Sequence, residues 1–192
     1  PDMWNTGSVA YARNADLFFV GTSYGYVLVV DTKQGRITDT INVRDYPVIW
    51  DKIKGFSVQQ IDNITTTYDG SLVLFGIKER DNTGTIMISY PSKRMLDSAE
   101  RGLGSYDSYP PQGALLSPHG RFLAIDFGVV IDRQTGKTWK TSQRYQYGLM
   151  GFDDAETMLT YRGDSTINGV NYFGFVYIQP LTDTGIAPIR TN

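Results

Sequence analysis

VGTSYGYVLVVDTKQGRI, residues 20–37, decides how this chain is read, because it holds strand-like runs separated by glycine-bearing turns. Residues 17–22 and 26–32 are rich in the β-branched and aromatic side chains that suit a pleated, half-buried surface, so both read as strands. Between them Ser23, Tyr24 and Gly25 form a tight connection, and Gly25 supplies the positive φ that a hairpin turn requires. Asp31, Gly35 and Arg36 make the next turn. The aspartate can bond its own following backbone while the glycine takes a left-handed position, so the chain reverses into residues 37–43. Meandering antiparallel strands are thus specified locally.

The same pattern recurs farther along. Residues 128–141, GVVIDRQTGKTWKT, place Asp132, Thr135, Gly136 and Lys137 in the order of the first turn. Residues 89–97 lie over residues 31–39 without a gap, pairing Arg94 with Arg36 and Asp97 with Asp39, but that copy lacks the turn glycine. The run Gly21-Thr22, Gly25, Asp31, Gly35, Arg36 and its copy at Asp132 to Lys137 resemble the repeat of pyrroloquinoline-quinone-type (PQQ-like) β-propellers. That family includes quinoprotein dehydrogenases and non-enzymatic envelope scaffolds. Trp139 stands one residue before the place where the family docks a tryptophan between blades, and such a slip turns a side chain to the opposite face unless a bulge restores register.

The resemblance implies an all-β fold of β-propeller-like repeats, each a four-stranded antiparallel blade. Opening turns near residues 15, 70, 120 and 154 recur at intervals averaging close to the roughly 40 to 50 residues of such a blade. About four blades follow, approximately residues 8–43, 63–100, 114–142 and 147–191, within a single domain spanning 1–192. Three arrangements compete: a closed four-bladed ring, an open arc completed by further chain or a partner, and a sandwich with accidental periodicity. The arc or fragment of a larger propeller is favoured, because family propellers usually close with more blades. An arc leaves edge strands, which invite pairing and oligomerisation. The connection over residues 44–60 is open to a helical turn or an extra strand.

Composition narrows function mainly by exclusion. With 41% apolar and 20% charged residues and a net charge of -2, the 192-residue chain has an ordinary globular balance, which argues against nucleic acid as a partner. It has no cysteine, which excludes disulfides, thiolate metal sites and cysteine nucleophiles, and removes the vicinal disulfide of many quinoprotein alcohol dehydrogenases. Absence of cysteine suits a periplasmic or extracellular space and is equally allowed in the cytosol. No apolar run approaches the roughly 20 residues of a membrane span. Pro1 at the start suggests a piece processed or excised from a longer chain.

His119 is the only histidine, which excludes a histidine cluster or multi-histidine metal site, and its place in Ser117-Pro118-His119-Gly120 matches the turn position of Asp69, so it reads as a structural turn residue. Asp153, Asp154 and Glu156 are rich enough in oxygen to suggest a hard-cation site, yet their spacing fits a solvated hairpin better. Arg162-Gly163-Asp164-Ser165 matches a short adhesive motif read by integrins and is expected in a strand-connecting loop leading to Asn168-Gly169. Asn63-Ile64-Thr65 matches a glycosylation acceptor. The favoured binding surface is the loop from Gly104 to Gln112 with Tyr106, Asp107 and Tyr109, joined by Arg144, Tyr145 and Tyr147, since tyrosine and arginine give contact area plus hydrogen bonds. The expectation is a non-catalytic propeller-type scaffold for a protein partner or for the remaining blades, with no cofactor and no metal. The alternatives are a fragment of a quinoprotein-like propeller oxidoreductase and a surface adhesion module.

Overall fold

The computed structural model describes residues 6–46, 60–79, 82–102, 114–125, 129–140, 149–167, 170–182 and 185–186. It is built of four 4-stranded antiparallel sheets, each formed from strands consecutive in the chain. The first holds β1 (Thr6–Ala12), β2 (Leu17–Thr22), β3 (Tyr26–Asp31) and β4 (Arg36–Asn42). The second holds β5 (Gln60–Thr66), β6 (Leu72–Glu79), β7 (Asn82–Ser89) and β8 (Arg94–Gly102). β9 (Leu115–Leu116), β10 (Phe122–Ile125), β11 (Val129–Asp132) and β12 (Thr138–Lys140) form the third; β13 (Leu149–Phe152), β14 (Met158–Ile167), β15 (Val170–Thr182) and β16 (Gly185–Ile186) form the fourth. The chain divides into two compact units, Pro1–Pro111 and Gln112–Asn192, each containing two of these sheets. A single 3-10 turn, Val43–Asp45, is the helical structure among the described residues, and the rest of that connection up to residue 59 lies outside them apart from Tyr46.

One turn opens the second, third and fourth sheets. Thr67, Ser117 and Asp153 each offer a side-chain oxygen to the backbone N–H five residues later, at 3.1, 2.8 and 2.6 Å. Their own N–H groups bond the carbonyls of those same later residues, Leu72, Phe122 and Met158. A short polar side chain thereby satisfies a donor that the reversal would otherwise strand. The turn between the third and fourth strands also repeats. Asp31 Oδ1 accepts from the N–H groups of Lys33 and Gln34, while Asp132 Oδ1 accepts from those of Gln134 and Thr135. Gly35 and Gly136 then turn left-handed, with φ of +63° and +73°. In the second sheet Arg94 pairs with Ser89 as Arg36 pairs with Asp31, so the glycine-free stretch folds in the gapless register expected of it.

Register also resolves Trp139. In β4 and β8 one residue bulges out, so that Asp39 faces Val29 and Asp97 faces Met87. β12 pairs with β11 without a shift, which sets Trp139 opposite Val130, the place that Asp39 reaches only through its bulge. Trp139 is half-buried and packs on a core of Phe122, Ala124, Val130 and Leu159, with its ring centroid 6.0 Å from that of Phe122. Because Leu159 belongs to the fourth sheet and the others to the third, this tryptophan sits at a junction between sheets. In the first unit Phe19, Val27, Val29 and Ile41 share a core with Val73, Phe75, Ile77, Ile86 and Ile88.

One expectation is corrected. The stretch expected as a long loop is a ladder: β14 pairs with β15 from Met158↔Pro180 to Ile167↔Val170, with an irregularity between Gly163 and Ser165. Arg162-Gly163-Asp164 is therefore inside a paired strand. Only residues 168 and 169 separate the two strands, and they lie outside the described residues. The continuous backbone ladder of β14 with β15 draws that tetrapeptide into the sheet despite its polar character.

Candidate functional site

The residues favoured from sequence, Tyr106, Asp107, Tyr109, Arg144, Tyr145 and Tyr147, lie outside the described residues, as does the whole of residues 104–112. Other sequence candidates are placed. His119 is exposed at the opening turn of the third sheet, and its backbone N–H donates to Glu156 Oε1 at 2.5 Å. Glu156 Oε1 also accepts from the Ser117 hydroxyl at 2.6 Å. Asp153 spends its oxygens on its own hairpin: Oδ1 accepts from the Thr157 and Met158 N–H groups and Oδ2 from the Thr157 hydroxyl. Burial presses the Asp153 carboxyl upward, but those bonds outweigh it and hold the group below the usual aspartate range. The acidic cluster is thus a turn and a clasp, and no group of three or more such ligands among the described residues could hold a metal ion. Asn63 is half-buried within β5, opposite Gly76.

Two clasps that the sequence did not announce join sheets within each unit. Lys93 occupies the turn position that Gly35 and Gly136 fill elsewhere, and it takes the same left-handed backbone with φ of +55°. Its Nζ lies 2.6 Å from Asp39 Oδ1 and donates to the Thr40 carbonyl at 3.0 Å, while its own carbonyl accepts from the Tyr46 hydroxyl at 3.0 Å. Burial raises the Asp39 pKa, but bonds from Lys93, the Thr40 N–H and Tyr90 prevail and hold it below the ordinary range. Tyr46 is pushed up to about 12, first by burial and then by the charge of Asp45. Glu156 is the counterpart in the other unit. It stands where the second and third sheets have Gly70 and Gly120, at φ of +56°, and reaches the Ser117 turn of the preceding sheet. A charged residue where the repeat has glycine was the available signal.

The larger feature is apolar. On β1 and β2, Val9, Tyr11 and Phe18 are 54%, 44% and 36% exposed, with the Tyr11 and Phe18 rings 4.7 Å apart. Cross-strand pairing carries that face onward through Val20, Leu28 and Val30 to Ile37, itself 55% exposed. In the fourth sheet Met158, Val176 and Ile178 are 40%, 55% and 59% exposed, and pairing sets Pro180 beside Met158 on the same face. Apolar side chains exposed side by side on one sheet face are the type of surface that interaction sites use. No helix among the described residues is long and apolar enough to cross a membrane.

Neither protein-family models nor curated protein sequences give a match to this chain. Solved structures do. Hydrazine synthase of Kuenenia stuttgartiensis is 18% identical over 94% of this chain and 47% of its own, with a TM-score of 0.57. The WD40 repeats of RRP9 match 85% of this chain and 46% of their own at 9% identity and a TM-score of 0.57. U3-55K matches 94% and 50%, also at 9% identity, with a TM-score of 0.56. At such identities the likeness establishes fold alone, and the fold is that of β-propeller blades. The chain spans about half the length of the structures it matches.

Proposed function

We propose that this chain is a non-catalytic propeller-type interaction module whose first and fourth blades are covered by protein, either further blades or a partner. One observation carries the reading: the outward faces of Phe18 and its neighbours and of Ile178 and its neighbours are apolar and exposed. Apolar blade faces are stabilised by burial at roughly 25 cal/mol per Å², so leaving both in water forfeits what each internal junction gains. The half-length coverage of the matched structures supports the same view. We place the blades with the non-enzymatic branch of the pyrroloquinoline-quinone-type repeats. That reading is supported by the matching Asp31 and Asp132 turns and by the lack of the cysteines that many of the alcohol dehydrogenases carry. Tyr106, Asp107, Tyr109, Arg144, Tyr145 and Tyr147 are the proposed partner-binding loops.

A photoreactive benzophenone amino acid at Phe18 or Ile178, introduced in cells that make the natural polypeptide, tests the covering. Both positions are expected to crosslink to a protein segment identifiable by peptide sequencing, whereas Lys33, whose side chain is 76% exposed, is not. Crosslinking from Phe18 and Ile178 no stronger than from Lys33 would overturn the reading.

A further inference from the structure

The exposed faces of the first and fourth blades differ in kind. Aligning the blades on their opening turns makes Leu17-Phe18-Phe19-Val20 equivalent to Leu72-Val73-Leu74-Phe75, Phe122-Leu123-Ala124-Ile125 and Met158-Leu159-Thr160-Tyr161. In the first unit the leading blade gives the first and third of these positions to the shared core, Leu17 at its edge and Phe19 within it. The following blade gives the second and fourth, Val73 and Phe75. The second unit obeys the same rule, with Phe122 and Ala124 from the leading blade meeting Leu159 from the following one. Each blade therefore has a forward face and a backward face.

By that rule the exposed residues of the fourth blade, Met158 with Ile178, Val176 and Pro180 paired across the ladder, are a forward face. Those of the first blade, Phe18 with Tyr11, Val9 and Ile37, are a backward face. Forward meets backward in the junction inside each unit, so these two surfaces are complementary in kind.

Resting on the interaction-module reading, we propose that the occupant is a second copy of this chain. The forward face of the fourth blade in one copy packs on the backward face of the first blade in the next. The contact is heterologous, head to tail, and two copies close on each other when the rotation permits. One register position differs: the fourth blade has Arg162 where the first has Gly21, which lies close to Ile61.

The test uses the purified 192-residue chain. Light scattering is expected to give multiples of the single-chain mass at micromolar concentration, with two copies predominating. Phe18→Lys alone and Ile178→Glu alone should each lower the mass, and mixing the two should restore it, because a lysine then faces a glutamate at one joint and native faces meet at the other. Both positions are exposed, so each variant should keep the native circular dichroism. The cysteine-free sequence permits a second readout. Under oxidation a Phe18→Cys copy should form a disulfide with an Ile178→Cys copy and not with itself. A single-chain mass at every concentration, or crosslinking of Phe18→Cys copies to each other, would overturn the proposal. Monomers combined with strong in-cell photocrosslinks to a different polypeptide would reject the second copy and leave the interaction-module reading standing. Monomers without such crosslinks would reject both.

Discussion

The two units solve the same joining problem with opposite charges. In the first, Lys93 leaves the following blade and binds Asp39 of the leading one; in the second, Glu156 leaves the following blade and binds Ser117 of the leading one. Each replaces a glycine and accepts a left-handed backbone, which costs a non-glycine residue about 1 to 2 kcal/mol. Their partners differ. Lys93 and Asp39 are 37% and 29% exposed, so water and salt screen the pair, whereas Ser117 is fully buried and its oxygen also accepts the Phe122 N–H at 2.8 Å. A clasp to a surface charge sets position with little net energy. A clasp to a buried hydroxyl is needed to keep that hydroxyl satisfied.

The comparison is broken most severely by attacking the closest approach in the first unit. A Cβ on Gly21 would stand 2.7 Å from Ile61 Cγ2 and 3.2 Å from the Ile61 carbonyl oxygen, so the bare Gly21 backbone of blade one lies directly against Ile61 of blade two. Gly21→Val is expected to destabilise the chain by about 3 kcal/mol, read as a lowered urea midpoint, because neither the side chain nor the backbone of Ile61 can yield freely. A change under about 0.5 kcal/mol would mean that the blades are not held at this distance.

The next effect isolates the buried clasp. Glu156→Gly removes both bonds and leaves the Ser117 hydroxyl without its acceptor, a loss of roughly 1 to 3 kcal/mol, while relief of the left-handed backbone returns about 1. Net destabilisation of roughly 1 to 2 kcal/mol is expected in urea denaturation. Glu156→Gln keeps an acceptor oxygen in reach of Ser117 and should recover part of it. Stabilisation by the glycine would show that the clasp contributes nothing.

Much of the fold was legible because its signals are local. Leu17 to Thr22 and Leu72 to Glu79 are strands at the expected bounds, and the Asp31, Asp69 and Asp132 turns bond their own backbones as aspartates in such turns do. The Trp139 register was half legible: the missing residue shows in the sequence, but only the bulges in β4 and β8 show that the other blades carry an extra one. The clasps were hidden because they join Asp39 to Lys93 and Ser117 to Glu156 across long separations, where pattern within a segment is silent. The exposed faces were hidden differently. Phe18 and Phe19 look alike in sequence, and only a neighbouring sheet decides which of two apolar faces is buried.

The smallest effect sharpens the contrast most. Lys93→Gly deletes the ion pair and the bond to Thr40, and it also places a glycine where Gly35 and Gly136 already serve. A pair this exposed contributes about 0 to 1 kcal/mol, and the relieved backbone returns a similar amount, so stability at neutral pH should stay within about 1 kcal/mol of the native chain. Acid should still separate the two proteins. The folded Asp39 pKa is depressed below its unfolded value of about 3.9, so its contribution is complete above that pH and is lost as pH falls through the folded value. Removing Lys93 takes away the strongest of the bonds that depress it, so stability of the variant should decline less steeply in that acid window. Stability profiles from urea denaturation between neutral pH and pH 2 measure the difference. Parallel acid limbs in the two proteins would show that Lys93 does not hold Asp39 ionised, and with that the contrast between a surface clasp and a buried one would lose its electrostatic half.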